Sequence, residues 1–116
     1  MQHAQRPARV AEEHSETAYT TNGAIEFLKQ HDHAPWCLHL SYIKPHWPYI
    51  APIPYHQLFR DLELPSAIRS QNELKNPHPI YEALTKIRVS RAFSKNEVRD
   101  RVLPTYLGLV KQLDDH

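Results

Sequence analysis

Apolar residues return along this chain with two different periods, and the periods occupy different stretches. Through residues 15–30, SETAYTTNGAIEFLKQ, the positions Ala18, Ile25 and Leu28, with Ala24 beside them, recur at helical spacing. Ser15 stands where an N-cap belongs, and Glu16 stands where the helix dipole favours an acid. The pattern therefore predicts a helix over about 15–30. Gly23 weakens it by about 1 kcal/mol relative to alanine, which one position can bear. Residues 36–43, WCLHLSYI, alternate instead. Leu38, Leu40 and Tyr42 share one face, and Cys37, His39, Ser41 and Ile43 the other. Both faces are mostly apolar or small, the pattern of a strand covered on both sides.

After the alternating run the chain becomes proline-rich through residue 56, and HQLFRDL predicts a short helical turn. Residues 63–79, ELPSAIRSQNELKNPHP, are polar and read as a long excursion. Ile80, Leu84 and Ile87 predict a helix over about 80–89. SKNE at 94–97 has the form of a capping box and opens a helix predicted over about 95–115. That helix carries Val98, Val102, Tyr106, Leu109 and Leu113 on one face and Pro104 inside it. Residues 1–13 are polar and unpatterned.

A helix, a doubly covered strand and a proline loop make one unit of an α/β sheet. The expected fold class is thus α/β, with one central strand at about 36–43, although no second run of that quality exists to pair with it. With 116 residues the chain has the size of one small domain, but its 2 glycines are few for the tight turns of a complete α/β enzyme. A formal net charge of +1, with Lys and Arg scattered, gives no footprint for nucleic acid or a membrane surface. No apolar run approaches a membrane span and no signal peptide opens the chain, so a cytoplasmic location is expected. The single cysteine, Cys37, excludes an internal disulfide and reads as a small core residue. Nine histidines follow no metal-site spacing. His39 reads as a core histidine, His31 and His33 as exposed turn residues, and His78, between two prolines, as a helix cap.

The stretch IKPHWPYIAPIPYH, residues 43–56, concentrates the candidate chemistry. Its prolines remove backbone freedom on both sides of His46, so little ordering remains to be done when a ligand arrives. Trp47, Tyr49 and Tyr55 are expected to pack and fix the loop, and His56 to stand at a pocket rim. A different function class also fits the composition: a polyproline II ligand for an aromatic groove, without catalytic activity.

The run PWCLHLSYIKPHWPYIAPIPYH resembles the sulfatase branch of the alkaline phosphatase superfamily, in which a hydrophobic strand enters a proline–histidine loop. HSETAYTTNGAIEFLKQ is similar to the helix before that strand, and RDRVLPTYLGLVKQLDDH to the helix after it. HPIYEALTKIRVSRAFSKNEVR most resembles the phosphonate monoester hydrolase members. The resemblance implies a metal-dependent hydrolase of sulfate, phosphate or phosphonate esters with an alkaline phosphatase-like α/β fold. Residues 1–116 would be a central segment of its catalytic domain. By motif, His46 is the substrate-facing catalytic histidine. Lys44, two residues before it and on the same side of an alternating chain, would either assist as a point charge or stand as a solvated lysine at the strand end. The implied divalent metal has no ligands in this segment, which is expected to bind none. Cys37 is followed by Leu38 and His39, so the nucleophile motif C/S-x-P-x-R is absent here. Asp114, Asp115 and His116 fall in the packing and rim of the last helix, not in the metal site. The expected partners are a small-molecule ester for the parent enzyme and further copies of this segment, joined through residues 36–43.

Overall fold

The computed structural model describes residues 3–116. Four helices carry the chain: α1 (Glu16–Gln30), α2 (Pro79–Lys86), α3 (Arg88–Phe93) and α4 (Asn96–Asp115). Short 3₁₀ turns precede the first two, at Glu12–His14 and Gln71–Leu74. No strand occurs among the described residues, so the expected α/β class with a central strand is overturned. Residues 36–43 lie outside every regular element. Alternation fixes which side chains share a face, but a strand also needs a second chain segment to meet its N–H and C=O groups. None of the described residues supplies that partner. Without a sheet over them, Cys37 and His39 are exposed rather than in a core, against the sequence expectation for both.

The helices begin and end largely where local chemistry places them. The Ser15 hydroxyl accepts the Ala18 N–H at 3.2 Å and starts α1. The helix expected at 80–89 is instead two helices, because Ile87 adopts an extended conformation (φ −69°, ψ 151°). His78 caps the first of them: its Nδ1 accepts the Ile80 N–H at 3.3 Å, with Pro79 at the tolerant first helical position. SKNE does not form the expected capping box. Ser94 donates to Arg91 O at 2.8 Å and closes α3, leaving Lys95 as an N-cap with no side-chain bond. The reciprocal box forms at Ser70 and Glu73, where Ser70 Oγ accepts the Asn72 N–H at 3.1 Å and Glu73 Oε1 accepts the Ser70 N–H at 2.9 Å.

The core is small and partly polar. Ala18, Ala24, Thr17 and Thr21 of α1 are buried, as are Val102, Thr105, Leu109 and Gln112 of α4. The N-terminal segment is fastened to α4 by hydrogen bonds: Thr105 donates to Ala4 O at 2.5 Å, and Gln112 Nε2 donates to Glu12 Oε1 and Ser15 Oγ, both at 3.2 Å. So thin a core leaves an extended molecule. Its accessible surface is 9156 Å² and its radius of gyration 18.4 Å. A compact chain of this mass would show about 6,600 Å² and about 13 Å. Trp36, Ile43, Trp47, Ile53, Ile68 and Ile80 all lie half or more exposed. No helix among the described residues is long and apolar enough to cross a membrane.

Candidate functional site

The proline stretch divides into a projecting tip and a fastened base. In the base, Ala51 is fully buried and its carbonyl accepts the Ala8 N–H at 2.8 Å. Tyr49 meets Phe93 and Tyr106 edge-on, with ring centroids 5.9 and 6.2 Å away. Tyr55 donates its hydroxyl to Asp115 Oδ2 at 3.0 Å. Its backbone lies so close to α4 that a β-carbon on Gly108 would sit 2.1 Å from the Tyr55 carbonyl oxygen. Only glycine leaves room for this approach. His56 N–H donates to Pro52 O at 3.1 Å and closes the last turn.

The tip, residues 44–48, carries the candidate chemistry. His46 N–H donates to Ile43 O at 3.0 Å, which makes a four-residue turn with Lys44 and Pro45 at its centre. The His46 ring is exposed, and its Nδ1 lies 2.8 Å from Trp47 O. A carbonyl oxygen can only accept, so Nδ1 carries the hydrogen and Nε2 is left for a ligand. Neutral, Nε2 offers a lone pair; protonated, it offers a second N–H. Lys44 is half-buried in the same turn. The alternation that put Lys44 and His46 on one side belongs to a strand, and the turn replaces it. Trp47 departs from its expected packing role. It is 58% exposed and touches the His46 ring instead, with centroids 5.5 Å apart. Tyr49 and Tyr55 do brace the loop. This fastening also distinguishes the stretch from a free polyproline ligand.

His56 is buried, not at a rim, and its Nδ1 has no hydrogen-bond partner. His31 and His33 are exposed as expected; His31 stacks on Phe27 at 4.3 Å, and its Nδ1 lies 2.9 Å from Phe27 O. At the end of α4, Asp115 accepts from both Lys111 and Tyr55. Those two bonds, the Lys111 one first, hold its carboxyl below the usual range. The hydrogen bond from His116, 2.6 Å from Glu12 Oε1, lowers the Glu12 carboxyl against the opposing effect of burial. Burial, and then the bond to Asp115, push the Tyr55 hydroxyl up. These acids serve as ties between α4, the proline loop and the N-terminal segment. Sequence reasoning did not find the Tyr55–Asp115 and Glu12–His116 ties, which join residues far apart in the chain. No group of three or more His, Cys, Asp or Glu among the described residues is placed to hold a metal. The residues present therefore do not form the metal site that the resemblance implies, and no chemical step can be assigned to a metal here.

No family model matches the chain. It is 31% identical over 123 residues, covering 95% of its own length, to the multifunctional alkaline phosphatase superfamily protein PehA of Trinickia caryophylli. This similarity supports the alkaline phosphatase superfamily. The chain spans 24% of the length of that relative.

Proposed function

We propose that this chain contributes a substrate-facing histidine to an ester hydrolase acting on sulfate, phosphate or phosphonate esters with a divalent metal held elsewhere in the protein. The observation that carries the reading is the mounting of His46. Tyr49, Ala51 and Tyr55 fasten the base of the loop, while Trp47 O ties Nδ1 and leaves Nε2 for an oxyanion. A protonated imidazole in that position stabilises charge on a non-bridging oxygen or gives a proton to the leaving group. Lys44, in the same turn, adds positive charge near the tip and favours the first role. The 31% identity to a multifunctional member of the superfamily supports the hydrolase class and leaves the ester type to the experiment.

His46→Ala in the full-length enzyme tests this. A group acting in the transition state is expected to lower kcat far more than it raises KM, with a loss of about 10²-fold or more. If His46 holds a non-bridging oxygen, the loss is equal for good and poor leaving groups. If it is a general acid, a nitrophenolate substrate suffers least. Wild-type kcat in a folded, metal-loaded His46→Ala enzyme would show that the histidine only braces the loop.

A further inference from the structure

A second concentration of charge lies apart from the histidine tip. Residues 60–69 lie against the start of α4 and line an open cavity of about 570 Å³, within the size range of small-molecule sites. Three arginines, Arg60, Arg69 and Arg99, line it together with Asn96, and Asp100 is the one carboxylate in the lining. His46 and Lys44 take no part in it.

What the arginines already bond decides what the cavity can hold. Arg69 donates to Ser94 O at 2.7 Å, Phe93 O at 3.0 Å and Asn96 Oδ1 at 3.1 Å. Arg60 donates to Gln5 O at 3.1 Å. Arg99 donates to Pro65 O and, at 2.8 Å, to Asp100 Oδ1. The partners of Arg60 and Arg69 are neutral, so those bonds orient the two guanidinium groups without cancelling their charge, while Arg99 is paired with the Asp100 carboxylate. Each guanidinium has five N–H donors and keeps at least two unclaimed. With one carboxylate against three arginines the cavity retains an excess of two positive charges. Arg99, with its side chain only 19% exposed, is the most buried of the three and shares its charge with Asp100, so the excess charge comes from Arg60 and Arg69.

We infer that this cavity is a binding site for a small tetrahedral oxyanion, phosphate or sulfate, gripped by the free N–H groups of Arg60, Arg69 and Arg99. Planar guanidinium forks match the oxygen spacing of such anions, and pairs of this kind are stronger than neutral hydrogen bonds. The site is independent of the proposed chemistry at His46.

Inorganic phosphate and, separately, inorganic sulfate titrated into the 116-residue chain at low ionic strength test the inference. Nitrogen–proton NMR is the readout. A saturable movement of the Arg60, Arg69 and Arg99 Nε–H signals is expected with at least one of the two anions. Ala67→Glu places a carboxylate in the cavity wall without removing any arginine bond, and should weaken binding at least tenfold. Arg99→Gln should do the same, while His46→Ala should leave the affinity unchanged. Saturation that is lost in His46→Ala and kept in Ala67→Glu would place the anion at the loop tip and overturn the inference. So would the absence of saturable shifts, or a chain whose amide signals show no folded dispersion.

Discussion

Gly108 offers the sharpest test of how the proline loop is held. Alanine is the better helix former by about 1 kcal/mol, so on propensity alone Gly108→Ala should stabilise α4. The structure reverses that sign. The new β-carbon would lie 2.1 Å from Tyr55 O and 2.9 Å from Tyr55 C, both backbone atoms that no rotamer change can move. Ordinary contact between such atoms needs about 3.5 Å, so the loop must retreat by more than an ångström. Overpacking of this kind costs about 1–3 kcal/mol, and the retreat also pulls on the bond from Tyr55 to Asp115. The net expectation is a loss of about 1–2 kcal/mol. Gly23→Ala is the matched control, since nothing lies within 4 Å of its added β-carbon in α1. It should gain about 0.5–1 kcal/mol. Thermal unfolding of both variants, followed by circular dichroism, should move in opposite directions by several degrees. If Gly108→Ala melts at or above the parent chain, the loop does not rest on α4 as described.

The ties at the end of α4 give a pH dependence on both flanks. The lowered carboxyls of Glu12 and Asp115 contribute stability that is present above the usual carboxylate range and lost as pH falls through their lowered values. Lys111 is raised by its bond to Asp115, and Tyr55 is raised chiefly by burial; both contributions are present at neutral pH and lost as pH rises through the raised values. Melting temperature against pH should thus form a plateau that narrows less steeply in Asp115→Asn, and identical profiles would refute the tie. Unpaired backbone and the exposed side chains of Trp36, Leu40 and Ile43 should make the 116-residue chain self-associate. Sedimentation should show concentration-dependent association that Trp36→Glu with Ile43→Glu reduces, and a concentration-independent monomer would exclude it.

Local chemistry alone determined a good part of this protein. Ser15 starts α1, His78 and Pro79 start α2, and the helical apolar spacing marks α4, because caps and periodicity act within a few residues. His46 was legible as a candidate for the same reason, since prolines on either side stiffen the chain whatever surrounds it. Two of the readings that failed did so because the deciding partner is remote or absent. Residues 36–43 have the alternation of a strand, but among the described residues no second segment accepts their hydrogen bonds, so Cys37 and His39 stand in solvent. Two stretches, at 70–73 and 94–97, share the same Ser-x-x-Glu form, and only the folded chain selects the first as the capping box. The turn at His46, the seating of Tyr55 on Gly108 and the gathering of Arg60, Arg69 and Arg99 also belong to tertiary structure. Each depends on where backbone atoms dozens of residues apart come to rest, and side-chain spacing along a sequence carries no record of those distances.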